Sequence, residues 1–434
     1  MNPIWCIKGL DPHQDTPVEI LHVVLLGFVK YLWWDLVQLQ LKNKDPQKNL
    51  LTTRLSSLDV SGLGISPLSG RTLVQYSGSL TGRDFWAIAQ VAPFVVYDLV
   101  SKALSKLVPL IWHPKIQDIE SHIALLEQEI QHFLLCVARW TNHWFNKPKF
   151  HIFVHLPAHI HRFGPAILFA TEAFESFNAI ICAKTHAFAQ GNHIHHLLSG
   201  GLFLLHSQPT DKHTSTGTSE STEQKKYLFS HEQNHWQSAG TGPVALVAGR
   251  STVTHYLGLD KSKHRLLHAG LFRTNKLLYL HNGDTCEPEN FVIVRHPNLP
   301  GQTFVGWVEE IIQQMGSIAA FASQPNGILL QEATINLNCT RYGMPSKVLS
   351  GWWSMHATQD LLCTVNVQHN CIDNRCGPTG SQPMYQERVR TNQTCVHVVH
   401  SQNIHNLFLN TAQMQDTAHV QMFPEGLQNY EAEF

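Results

Sequence analysis

Apolar residues recur every three or four positions through Ile116, Ile119, Ile123, Leu126, Ile130, Phe133 and Val137, while Asp118, Glu120, Glu127 and Glu129 fall largely off that stripe. A period near 3.6 with a polar opposite face predicts an amphipathic helix over 116–140. The pattern lasts about three heptads, which favours a helix laid on a core over a coiled coil. The stretch GRDFWAIAQVAPFVVYDLVSKALSKLV at 82–108 predicts two helices broken near Pro93, because proline removes a backbone donor.

The most apolar stretch, PVEILHVVLLGFVKYLWWDL at 17–36, has helical length. A membrane span needs about 20 mostly apolar residues. Glu19, His22, Lys30 and Asp35 interrupt this one, and its longest run without charge or histidine, Val23 to Val29, is too short. It has neither the basic leader nor the small-residue cleavage site of a signal peptide. It is expected to be a buried helix that carries Glu19 and His22 on one face.

The texture changes near 288. NFVIVRH, TFVGWVEEII, GILLQEATINL and LLCTVNVQ are short β-prone runs separated by Gly, Pro and Asn, as in a small antiparallel sheet. With a turn at VGWVEEI they would also suit a small barrel. The expected class is α+β. A helix-rich region over 1–205 precedes a flexible Ser/Thr/Gln-rich linker over 206–242. A short helical or irregular connector over 243–287 leads to a small β-rich domain over 288–410. A loose tail over 411–434 ends the chain.

Composition narrows the picture. Charged residues make up 15% of the 434 and the net charge is −1, whereas about 25% is usual and duplex-binding domains are commonly basic. The best basic cluster, KSKHR at 261–265, reads as a solvated loop. Histidine is in excess, at 29 against 31 lysines and arginines together. The nine cysteines show no pairing pattern, so reduced thiols or one metal site are expected rather than a disulfide framework.

Three groups could carry chemistry. Glu19 and His22 stand three apart, a spacing that lets a carboxylate orient an imidazole; a polar pair on the wet edge of a helix is the plainer alternative. His151 and His155 have the i,i+4 spacing of a zinc pair, but Pro157 limits the helix and no glutamate lies between them. Downstream, Glu172 and Glu175 form the acidic edge of a segment whose Phe169, Phe174, Phe177 and Ile181 have the spacing of a buried face. In CTVNVQHNCIDNRC, the residues Cys363, His369, Cys371 and Cys376 offer three thiolates and an imidazole, a sensible tetrahedral Zn²⁺ set. Buried reduced cysteines are the alternative. P-loop, Rossmann and nucleophile-elbow motifs are absent.

GLDPHQDTPVEILHVVLLGFVKYLWWD, RLSSLDVSGLGISPLSGRTLVQYSGSLTGRDFWAIAQVAPFVVYDLV, RWTNHWFNKPKFHIFVHLPAHIHRFGPAILFATEAFESFNAII and LLCTVNVQHNCIDNRCGPTGSQPMYQERVRTNQT resemble basidiomycete CACTA-like transposases of the Plavaka and Kyakuja-Dileera-Zisupton groups. The resemblance implies an RNase H-like DDE region with a helical insertion, DNA as partner, and a nuclear location. It also implies carboxylates that hold Mg²⁺ for strand cleavage and transfer. Glu175 matches the last acidic residue of that site. Glu19 and His22 match a supporting element in which cysteine or aspartate is usual where Glu19 stands. The two other catalytic aspartates would precede Met1, and Asp11 and Asp15 lie too near Glu19 to replace them. Cys182 and His193 stand where the resemblance puts arginine, with Trp34 and Trp86 as further candidates. The resulting expectation is a truncated, inactive transposase relic, with a non-catalytic DNA- or chromatin-binding module built on the β-rich domain as the alternative, and a Mg²⁺-dependent transposase whose gene model lacks its first exons as a third reading.

Overall fold

The computed structural model describes residues 8–11, 14–96, 103–141, 143–144, 146–172, 174–175, 177, 236–237, 244–245, 271–296, 299–314, 325–336, 344–386, 389–400 and 406–420. The apolar stretch near the start is a helical rod, α1, wound as π-helix over Leu21–Val29, as α-helix over Lys30–Trp34 and as π-helix again over Asp35–Gln40. It is apolar on most sides and correspondingly buried, with Ile20, Val24, Leu25, Phe28, Leu36 and Val37 all inside. Phe28 is the hub, with Phe133, Phe150 and Phe153 ring centroids at 5.3, 4.9 and 4.6 Å. Such tilted pairs add about 0.5–1.5 kcal/mol each beyond the area they bury. Among the described residues no helix is long and apolar enough to cross a membrane.

Around α1 pack α2 (Asp45–Ser56), α3 (Gly70–Gln75), α4 (Gly82–Val95), α5 (Ala103–Ile111), α6 (Ile119–Trp140), α7 (Pro148–Phe153) and α8 (Leu156–Phe163). Local chemistry sets their ends. Thr81 and Asp84 form a capping box that starts α4, which satisfies donors the first turn would otherwise leave open. Pro93 lies in the last turn of α4 rather than at a break, and the helix ends two residues later. Asp118 caps α6 by accepting from the Glu120 and Ser121 amides. The expected stripe is realised from that cap onward, with Leu126, Ile130, Phe133 and Val137 buried, but Glu129, expected off the stripe, is buried as well, with Lys106 Nζ 3.7 Å from its carboxylate.

The second half is antiparallel β. Strands β1 (Trp236–Gln237), β4 (Leu278–Tyr279) and β5 (Thr285–Cys286) form a small sheet. Among the described residues the main sheet has nine strands. Seven follow the order β10 (Leu361–Val365), β6 (Phe291–Arg295), β7 (Thr303–Gln314), β8 (Gly327–Asn336), β9 (Ser346–Ala357), β14 (Leu407–Leu409) and β11 (Val367–His369). Off this path, β2 (Val244–Ala245) pairs with β3 (Leu271–Asn275), which pairs with β7. A hairpin of β12 (Gly380–Gln386) and β13 (Val389–His397) stands apart. Both faces of the main sheet are covered. Val292, Val294, Ile328 and Leu330 pack on one side, and Ile293, Val305, Cys363 and Val365 on the other. The alternation is that of a pleated strand.

Several boundaries move. VGWVEEI lies inside the 12-residue strand β7 and is not a turn. Strands β2, β3, β4 and β5 lie within 243–287, where a helical or irregular connector is expected from sequence. Trp236–Gln237 pairs with β4; most of the 206–242 linker lies outside the described residues, as do KSKHR, Cys182 and His193. The tail is packed as far as Val420: Ala412 and Met414 are buried, and Thr417–Val420 forms the short helix α9. Phe174 and Phe177 are exposed rather than facing a core, and Ile181 lies outside the described residues.

Buried amides weld the helices to the sheet. Asn366 donates from its side chain to the carbonyls of Asp59 and Ser61, both at 2.9 Å. Gln368 donates to Asp59 O at 2.6 Å, Asn410 donates to Gln90 O at 3.1 Å, and Gln90 Oε1 accepts from the Met414 amide at 2.9 Å. Gly62 makes the approach possible. Its φ is +77°, and a Cβ there would sit 2.6 Å from the Val365 carbonyl carbon. Phe94 of α4 shares a small apolar cluster with Met344, Phe408 and Ala412.

Candidate cleft and metal centre

Glu19 stands at the N-terminus of α1 and uses both carboxylate oxygens there. Oε1 accepts from the Leu21 amide at 2.8 Å and the Thr171 amide at 2.9 Å. Oε2 takes the His22 amide at 2.8 Å and contacts His22 Nδ1 at 2.6 Å. Burial opposes its charge, but the hydrogen bonds outweigh burial and hold its carboxyl below the ordinary glutamate value. Glu19 is therefore a cap and a clamp, joining α1 to the segment at Thr171. His22 Nε2 points the other way and lies 4.0 Å from Glu175 Oε1. Burial, with the Glu19 charge behind it, raises Glu172.

His22, Glu172 and Glu175 line a cavity of about 1880 Å³ whose wall also carries Arg71, Tyr76 and Arg83. The tail closes one side through Gln415, Asp416 and His419. Asp15 is ion-paired with Arg162 and accepts from the Asp11 amide at 2.7 Å, and neither Asp11 nor Asp15 lines this cavity. His151 and His155 approach at 3.4 Å between Nε2 atoms on the exposed surface. His155 lies between α7 and α8, and among the described residues no third ligand-type side chain completes a metal group with this pair.

The cysteine-rich stretch resolves differently from its sequence pattern. Cys363 is on β10, fully buried among core residues, and burial pushes its thiol far up. Strand alternation turns it into the sheet, away from the other three. His369, Cys371 and Cys376 do come together, and the fourth partner is His400, just beyond β13. One ligand atom from each lies within 4.8 Å of every other. Cys371 Sγ is 3.7 Å from His369 Nδ1 and 3.3 Å from His400 Nδ1, and Cys376 Sγ is 3.5 Å from His369 Nδ1. Burial and the neighbouring Cys376 push the Cys371 thiol up to about 12.

The local fold explains the convergence. The turn from Cys371 to Cys376 is closed by the Cys376 amide donating to Cys371 O at 3.1 Å, with Arg375 at φ 50°. Asn370 fixes its base through Asp373 and Asn406. The β12–β13 hairpin then carries the chain out and back to His400. His400 was not legible as a partner, because its link to Cys371 depends on that hairpin's register and not on local spacing.

No curated protein matches the chain. A family model described as a domain of unknown function, DUF8590, matches residues 212–428. That span encloses the main sheet and the four metal-type residues, whereas Glu19, His22 and Glu175 lie outside it. The match covers half of the chain, which therefore belongs to the DUF8590 family.

Proposed function

We propose that this chain derives from a DDE-type DNA transposase and now binds DNA without cleaving it, with the cavity between the helices and the tail as the binding cleft. The observation that carries this reading is the meeting of Glu19–His22 with Glu175, 4.0 Å from His22 across more than 150 residues. The transposase resemblance pairs the same residues. An RNase H-like core for the helical half and a nuclear location belong to the same proposal.

The donor set does not suit Mg²⁺. That ion demands near-octahedral oxygen coordination. Glu19 has both oxygens engaged by amides and His22, Asp15 is paired with Arg162, and His22 offers nitrogen. No metal-dependent step is therefore derived for these residues. Arg71, Arg83 and the exposed Tyr76 on the cavity wall are chemically suited to phosphates and to stacking. The alternative, a β-rich module acting alone, fits less well, because Asn366, Gln368 and Asn410 depend on carbonyls of the helical half.

The test is anisotropy of a labelled duplex with the full chain over a salt series, alongside a nicking assay with Mg²⁺. Affinity should fall with salt, and Arg71→Ala and Arg83→Ala should each weaken binding and reduce the salt slope by about 1. No nicking should appear. Salt-independent or absent binding, or Mg²⁺-dependent nicking abolished by Glu175→Ala, would refute the proposal.

A further inference from the structure

We infer that His369, Cys371, Cys376 and His400 form a closed structural zinc site that fastens the exit of β13 and the turn after β11 to the C-terminal end of α2. The inference is independent of the cleft and of any DNA-related role.

Distances support it first. With Zn–S near 2.3 Å and Zn–N near 2.0–2.1 Å, a tetrahedral site places sulfur and nitrogen about 3.5 Å apart. The three sulfur–nitrogen contacts here are 3.3, 3.5 and 3.7 Å. Three of the six edges thus have tetrahedral lengths, and the remaining pairs lie within 4.8 Å, so one ion joins all four after the ligands close in on it.

Tautomers support it second. His400 Nε2 lies 3.3 Å from the Ser57 carbonyl oxygen, and a carbonyl can only accept, so Nε2 carries the proton. Nδ1 then presents its lone pair, and Nδ1 is the atom that faces Cys371 Sγ. A ligating histidine that donates its second N–H to a backbone carbonyl is the usual support around protein-bound zinc. The surroundings are also fixed. Ser57 Oγ accepts from the Val398 amide at 2.9 Å and lies 3.1 Å from His397 Nδ1.

The donor set selects the ion. Two thiolates and two imidazoles in a tetrahedral arrangement favour Zn²⁺, while carboxylate- or water-rich sites suit Mg²⁺ or Ca²⁺. Four protein donors leave no open position, so the site is structural rather than catalytic. Binding replaces the two thiol protons, which leave to solvent, and the two thiolate charges balance the dication.

The test is cobalt substitution of the purified full chain, with Co²⁺ and Zn²⁺ as the probes. One Co²⁺ per chain should bind with a thiolate-to-metal charge-transfer band and tetrahedral d–d bands, and Zn²⁺ should displace it. Cys371→Ser and His400→Gln should each lower affinity by at least about 100-fold, since even supporting residues around a metal cost about 10–100-fold when lost. Cys363→Ala should keep full stoichiometry. In the unmutated chain, which avoids any folding defect of the variants, Zn²⁺ should shield Cys371 and Cys376 from alkylation while Cys136 still reacts. Absence of the thiolate band, undiminished binding by His400→Gln, loss of stoichiometry in Cys363→Ala, or no shielding would each overturn the inference.

Discussion

His400 donates from Nε2 to the carbonyl oxygen of Ser57, joining positions 343 residues apart. The same residue, Ser57, receives the Val398 amide on its hydroxyl. One helix end thus satisfies two groups of the segment that leaves β13. Ser57→Ala would leave the partly buried Val398 amide without its acceptor, at a cost of about 1–3 kcal/mol. Urea unfolding of the full chain should show this as a lower midpoint with an unchanged slope. An unchanged midpoint would mean that the contact contributes nothing.

Asp416 titrates in an unusual direction. Burial, then the neighbouring Asp284 charge, pushes it up to about 7, while an unfolded aspartate titrates near 3.9. Between about pH 4 and pH 7 the folded chain therefore binds more protons than the unfolded one, so this group's contribution to stability is full below that window and is lost as pH rises through it. Asp416→Asn should flatten the pH dependence and raise stability at pH 8. Asparagine also tolerates the φ of 52° at this position. Thermal melts from pH 4 to 8 on both proteins check this, and parallel curves would contradict it.

Lys347 is fully buried on β9, and its Nζ has no hydrogen-bond partner among the described residues; the Phe291 ring lies 5.8 Å away. Burial holds its pKa well below the ordinary lysine value. The unfolded chain then binds more protons between the two values, so stability should rise with pH across that interval. Lys347→Met should remove the rise and add about 1–3 kcal/mol near neutrality, the cost of an uncompensated buried polar group. Destabilisation by this change would show that Nζ has a partner after all.

Glu19→Gln should cost about 1.5–3 kcal/mol above pH 6, the range for hydrogen bonds to a charged group. It keeps the shape but weakens four contacts. The folded pKa is depressed, so the carboxylate's contribution is present above the unfolded glutamate value and is lost as pH falls through the folded one. The difference between the two proteins should narrow in acid, as read by denaturant midpoints at pH 3 and pH 7.

Parts of this architecture were readable in the sequence because they depend on local period or local chemistry. The stripe from Leu126 to Val137 and the apolar run of α1 have one packing solution, and Asp118 marks the start of α6. What could not be read depends on register between distant strands. Cys363 and Cys371 are both plausible ligands by spacing, yet strand alternation sends Cys363 into the core while the turn at 371–376 keeps Cys371 beside His369. His400 needed the hairpin to return. Leu271–Asn275 is a strand because β7 is long enough to pair with it beyond Ile311, a tertiary cause invisible in its own composition. Asp416 reads as a residue of a polar tail until its contact with Asp284 is seen.

Native mass spectrometry of the full chain tests the central claim about the β-rich region most directly, since metal load and thiol state appear in one spectrum. One bound Zn²⁺ predicts a mass higher than the bare chain by one zinc less two hydrogens, returning to the bare mass after acid release. A bare chain, or one lighter by two hydrogens because Cys371 and Cys376 are joined as a disulfide, would contradict it.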